Sequence, residues 1–343
     1  MYLSYTCVLF LLLGLLTLSE SRLADEKLQL YKAFHEFAVK HNRSYVKNSN
    51  SSEFLFRFNV FKENVARSQS LNEGFPNGST RVYGINKFAD WSPEEFKAKY
   101  LSTYKPSKGL RKNLSGLKFK FQDLPTKKDW RDSGVVNPVM DQGSCGACWA
   151  FSVVETVESM YGIQKNASAP SLSVQELIDC DKNNSGCEGG SIKGACDWSL
   201  ENGLVWSDQY PLTDKTGSCH NPSSSLPRVH LKACENNQYT TDEYQLLQLL
   251  AFHGPIAVAI DATTWHNYIG GIIQFHCYNN LNHAVQIVGY NLEGDVPYYI
   301  IRNSWGTNFG DQGYIYVRYG KNLCGLTHDV TFLDVDLNRN TFP

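Results

Sequence analysis

The sequence has no uninterrupted apolar stretch near the roughly 20 residues that cross a membrane; the run VLFLLLGLL at Val8–Leu16 stops after nine. It has no excess of positive charge. Its 32 lysines and arginines face 34 acidic residues, a formal net charge of -2, which gives no reason to expect a nucleic-acid partner. Cysteine is absent from Val8 to Ser144, so any disulfide framework belongs to the later part of the chain. General disorder is excluded too: of 343 residues 42% are hydrophobic and 19% charged, enough for one large or two modest domains.

The near-neutral total hides a division. From Arg22 to Asp123 there are 19 basic residues against 10 acidic; from Leu124 onward there are 13 against 23. A basic first third joined to an acidic remainder suggests two parts that attract one another, with two unrelated surfaces as the alternative. The apolar run from Val8, followed by Ser19-Glu20-Ser21, has the make-up of a secretory signal peptide over residues 1–21. No Lys or Arg precedes it, and an uncleaved anchor is the competing reading. Six Asn-x-Ser/Thr triplets, at Asn42, Asn50, Asn77, Asn113, Asn166 and Asn183, fit a glycoprotein of the secretory pathway, lysosomal or extracellular.

Without Cys7, nine cysteines remain: Cys145, Cys148, Cys180, Cys187, Cys196, Cys219, Cys234, Cys277 and Cys324. In an oxidising compartment nine allow four bridges at most, and one thiol is left over. Leu28, Tyr31, Phe34 and Phe37 step along one face of a helix over Leu23–Lys40, and Phe54, Phe58, Phe61 and Val65 along a longer one over Glu53–Asn72. Pro106–Gly116, rich in Lys, Ser and Gly, reads as a linker. After Leu124, Cys148–Gln164 reads as a buried helix, Ser173 and Glu176 as a capping box, and Gly190–Asn202 and Thr241–Phe252 as further helices. Beyond Pro255 the texture becomes strands: IAVAI, HAVQIVGY, YYIIR and GYIYVRY. Helices first and strands later imply a two-lobed α+β enzyme with a cleft between its lobes.

Cysteine is a good nucleophile whose thiol pKa falls at a helix N-terminus. Cys148 stands where GSCGA gives way to WAFSVVETV, so its sulfur belongs at such a terminus. Cys145, in the glycine-flanked loop before it, suits a bridge. The competing reading of CGAC as a redox pair lacks a thioredoxin-like strand-helix setting. Of seven histidines after Leu124, His283 follows Asn282 and opens AVQIVGY, which places its ring at a strand edge. Asn303 closes YYIIR. Its carboxamide oxygen can accept from one imidazole nitrogen and leave the other for sulfur, with Trp305 shielding that bond.

QGSCGACWAF from Gln142, CDKNNSGCEGG from Cys180, LNHAVQIVGY from Leu281 and RNSWGTNFGDQGY from Arg302 resemble the papain-like cysteine peptidases. The likeness extends to the first third. Glu53, Arg57, Phe61, Asn64 and Asn72 fall on the ERFNIN spacing of the family's inhibitory pro-region, and Gly84, Asn86, Phe88 and Asp90 match its GxNxFxD segment. Ser68 stands at the family's Ile position, which implies one weaker apolar contact. The resemblance implies a papain-like two-lobed fold, a helical left lobe and a β-barrel-like right lobe, with an α-helical inhibitory pro-region at 22–123 and the peptidase domain at 124–343. It implies Cys148 as nucleophile, His283 as base and later acid, Asn303 as orienter and Gln142 as oxyanion donor. It implies bridges Cys145–Cys187, Cys180–Cys219 and Cys277–Cys324; Cys196 and Cys234, without partners in the family pattern, pair by elimination. Ser191, Ile192, Ala259, Leu281, Ala284 and Asp329 are expected to line S2, with Asp329 facing either the pocket or solvent, and Gly189 and Gly190 to hold the substrate backbone. The expected partners are peptide and protein substrates, the chain's own pro-region and cystatin-like inhibitors, on a monomer that needs no cofactor and no metal. A binding protein that kept the fold without turnover is the alternative class; loss of Cys148, His283 or Asn303 would mark it, and all three are present.

Overall fold

The computed structural model describes residues 22, 24–76, 80–101, 124–220, 226–238 and 242–339. The expected signal peptide, the Pro106–Gly116 linker, Asn77 and Asn113 lie outside them. Helix α1 spans 24–40 and α2 spans Ser52–Leu71, capped by Ser51, whose hydroxyl accepts from the Phe54 N–H. Phe34 and Phe37 meet Phe54, Phe58 and Phe61 in a small aromatic core, where truncating one buried Phe to Ala would cost about 3–5 kcal/mol. Helix α3, Pro93–Tyr100, starts in a capping box between Ser92 and Glu95. The motif residues lock these pieces together. Arg57 reaches Glu53, Glu95 and the Asp90 carbonyl, Asn64 donates to the Ala89 and Trp91 carbonyls, and Asp90 accepts from Arg43 and Tyr45. Ser68 makes a polar link at this position: its hydroxyl accepts from Asn267 Nδ2 at 3.1 Å.

The helical lobe forms around α4, Cys148–Lys165, buried on all sides from Cys148 to Gly162, as an apolar helix inside a domain must be. Helices α5 (Val174–Cys180) and α6 (Ile192–Asn202) pack in the same core. Ser173 caps α5 as expected, but Glu176 does not close the box. Its carboxylate instead accepts from the Val205 N–H and pairs with Arg228, because those tertiary donors outweigh one local backbone amide.

Among the described residues the other lobe is an eight-stranded sheet in the order β2-β8-β3-β5-β6-β7-β4, with β1 also on β5. The strands are β1 (Lys127–Asp129), β2 (Leu231–Gln238), β3 (Ile256–Ile260), β4 (Ile272–Ile273), β5 (His283–Asn291), β6 (Tyr298–Arg302), β7 (Tyr314–Arg318) and β8 (Asp329–Val335). All pairs are antiparallel except β4 with β7. Helix α7, Glu243–Phe252, closes one side with Leu246, Leu247, Leu249 and Leu250. All four expected disulfides form, Cys145–Cys187, Cys180–Cys219, Cys196–Cys234 and Cys277–Cys324. The pairing of Cys145 outside the CGAC stretch removes the redox reading. Cys148 alone among the described cysteines lies outside a bridge.

Candidate active site

The lobes meet along α4 and β5, and that contact sets the site. Gln286 of β5 donates to the Glu155 carbonyl at 2.9 Å and to Ser159 Oγ at 3.0 Å. Seven helical residues before Glu155 is Cys148 and three strand residues before Gln286 is His283, each roughly 10 Å back. A loop closes the same end. Gln142, fully buried, is tied to Ser304 twice: its N–H donates to the Ser304 carbonyl at 2.8 Å, and its side-chain oxygen accepts from Ser304 Oγ at 2.6 Å. Its side-chain amide donates to the Cys145 carbonyl at 3.0 Å. One amide hydrogen remains for a ligand.

Gly146 explains why the loop can turn into α4 here. Its N–H donates to the Cys187 carbonyl at 2.9 Å, and a Cβ would stand 2.6 Å from that oxygen. The helix cap, Ala147, has no side chain that can accept from the first amides of α4. Those amides therefore face the start of the helix, where the Cys148 sulfur belongs, and favour negative charge there.

In the sheet lobe, Gln286 pairs with Arg302, so His283 and Asn303 fall at one end of β5 and β6. His283 Nε2 lies 2.7 Å from Asn303 Oδ1. Its Nδ1 is buried and has no hydrogen-bond partner among the described residues. Trp305 covers the pair, ring centroids 4.7 Å apart. Burial among neutral groups lowers the His283 pKa to about 4, against a smaller upward pull from Asn303, so the ring is neutral in this closed state.

The first third of the chain lies across this end. Gly84 donates to the Asn267 carbonyl and Ile269 to that of Val82, and Asn86 Nδ2 donates to the carbonyls of His266 and Tyr268. Phe88, Phe96 and Tyr100 surround Trp305 at 5.9, 5.3 and 6.0 Å. Cys148 and His283 are both fully buried in this closed state.

A family model described as papain family cysteine protease matches residues 124–333, and one described as cathepsin propeptide inhibitor domain matches residues 34–96. The chain belongs to the papain family. It is a cysteine peptidase made as a zymogen with an inhibitory propeptide. Cathepsin O of Homo sapiens is 42% identical over 281 residues, covering 80% of this chain and 87% of the relative. That of Mus musculus is 42% identical over 282 residues, 79% and 88%. Among solved structures, procathepsin L2 from the larval midgut of Tenebrio molitor superimposes with a TM-score of 0.78 at 32% identity, over 89% of this chain and 99% of that one.

All four expected site residues, Cys148, His283, Asn303 and Gln142, are thus brought to one end of the interlobe seam. Asp329 is 1% exposed and accepts from Asn236 Nδ2 at 2.6 Å, so the solvent-facing alternative does not hold. Ile192, Ala259 and Ala284 are buried in the helical lobe's core, Leu281 packs against it, and Ser191 caps α6. Two residues escaped the sequence reading, Asp141 and His266. Both draw their meaning from contacts with the first third of the chain.

Proposed function

We propose that the processed protein is an endopeptidase in which Cys148 attacks the scissile carbonyl. His283 Nδ1 takes the thiol proton, giving a thiolate–imidazolium pair, and Asn303 holds the ring through Nε2. As sulfur adds to carbon, negative charge moves to the carbonyl oxygen, where the second Gln142 amide hydrogen and the Cys148 N–H serve as donors. Collapse expels the amine, which takes the proton from His283, and leaves a thioester on Cys148. Water then attacks, its proton passing to His283, and the acid product leaves with the thiol restored. The Nε2 bond to Asn303, with Nδ1 kept from every other partner, carries this reading.

The nine-residue apolar run, the sequons and the four bridges support passage through the secretory pathway to a lysosome or the extracellular space, with domains at 1–21, 22–123 and 124–343. The described sequon residues Asn42, Asn50, Asn166 and Asn183 are exposed, as glycosylation requires. No helix among the described residues is long and apolar enough to cross a membrane. An epoxide probe should add one label to the processed enzyme, mapped to Cys148, and abolish peptide cleavage. Labelling elsewhere with activity intact would refute the assignment.

A further inference from the structure

The zymogen fills a cation seat beside the catalytic end with its own lysine. Asp141 precedes Gln142 and is bridge-paired with Trp305. Its Oδ1 accepts from the Gly143 N–H at 2.9 Å. Gly306, at φ +75, lies so near Oδ2 that a Cβ there would stand 2.7 Å away. Glycine at that positive φ leaves the carboxylate undisturbed. Lys87 Nζ donates to Oδ2 at 3.1 Å and to the Trp305 carbonyl. The Asp141 side chain remains 45% exposed with Lys87 in place, and no other cation among the described residues pairs with it. Two acceptors, one of them anionic, therefore converge on a single ammonium that leaves with the propeptide.

The loop tells which side of the scissile bond this seat serves. Gly146 is bonded to Cys187, beside Gly189 and Gly190, along which the acyl half of a substrate is expected to run. Asp141 lies beyond Gln142 in the other direction, against Trp305. A peptide across Cys148 passes Asp141 with its leaving-group half.

We propose that in the processed enzyme Asp141 and the Trp305 carbonyl form a subsite for a lysine or arginine side chain in the first or second residue after the scissile bond. This rests on the peptidase reading above. The subsite exchanges one ammonium for another, so the propeptide lysine is a built-in copy of the preferred ligand. An ion pair this exposed supports a preference of roughly two- to fivefold, which salt weakens.

The test is a set of internally quenched peptides differing only at those two positions, carrying Lys, Arg, norleucine or Glu, cleaved by processed enzyme. At one position kcat/KM for Lys and Arg should exceed that for norleucine by about two- to fivefold and that for Glu by more, the gap closing at high salt. Asp141→Asn should level Lys with norleucine; because the ratio is internal to each enzyme, any general loss from disturbing Gln142 cancels. Equal rates for Lys and norleucine at both positions in the wild type, or a Lys preference that survives Asp141→Asn, would overturn the inference. Should no peptide be cleaved, the catalytic assignment fails, and binding to Cys148→Ala protein processed in trans decides the subsite. Tighter binding of the Lys peptide than of its norleucine twin upholds it, and equal binding overturns it.

Discussion

His266 should act as the residue through which acid loosens the propeptide. It sits in the turn Thr263–Asn267 and is 2% exposed. The propeptide supplies its surroundings: Phe96 stacks on the ring at 4.6 Å, and the Phe88 carbonyl lies 3.1 Å from Nε2. The charged groups that face it, Arg67 on α2 and Glu94 on α3, oppose one another, and no carboxylate among the described residues pairs with it. Burial is the leading cause that lowers its pKa to about 4. Once the propeptide lifts, the ring meets water and returns toward about 6.5. The closed state thus holds the lower pKa. Its stabilisation is complete above about pH 6.5 and is lost as pH falls toward 4. With these two values the open-to-closed ratio rises about 30-fold between pH 7.5 and pH 5, close to 2 kcal/mol. The assay is pulse alkylation of Cys148 in the full-length zymogen, where the thiol is buried. Rates are divided by those of His266→Gln and His266→Phe at each pH, which cancels the thiol's own titration. The wild-type excess should grow about 30-fold on acidification. An equal acid response in all three proteins would refute the reasoning and leave the field between the basic first third and the acidic remainder as the trigger. High salt at neutral pH would then open the zymogen equally well.

Two further outcomes follow from the site. His283→Ala should lower kcat/KM by roughly a thousandfold or more, because the proton acceptor is gone, whereas Asn303→Ala, which removes one hydrogen bond to a charged ring, should cost roughly 10- to 100-fold; near wild-type turnover by His283→Ala on a peptide would contradict the assignment. Asp329→Ala should lower the ratio of kcat/KM for a P2 Arg substrate to that for P2 Leu by about tenfold, the scale of one hydrogen bond to a charge. An unchanged ratio would place the Asp329 carboxylate, held by Asn236, outside the substrate pocket.

Cys148 and His283 were legible because local pattern and chemistry coincide. Glycines deliver the cysteine to a helix start, a polar Asn-His pair opens a buried strand, and cysteine parity leaves one thiol over. Helix α2 was legible for a similar reason, since its phenylalanines repeat at the spacing of one helical face. Strand β2 was not. LKACENNQ has neither apolar alternation nor turn signals, and it is a strand because β8 offers it a ladder. The same cause turned Glu176 from a capping residue into the partner of Arg228 and Val205. Asp141 and His266 lie furthest from a sequence reading. A lone Asp beside a motif and a lone His in a turn have bland local explanations, and what distinguishes them is Lys87, Phe88 and Phe96, residues of a segment that processing removes. Part of their surroundings therefore leaves when the zymogen is cut. The carboxylate loses its lysine and the imidazole of His266 loses its cover. A residue whose partners belong to a removable segment can serve twice, once in holding the enzyme shut and once in what the open enzyme accepts. The structure puts Asp141 in that position by leaving its carboxylate half-exposed, with the propeptide's lysine as the one cation paired with it among the described residues.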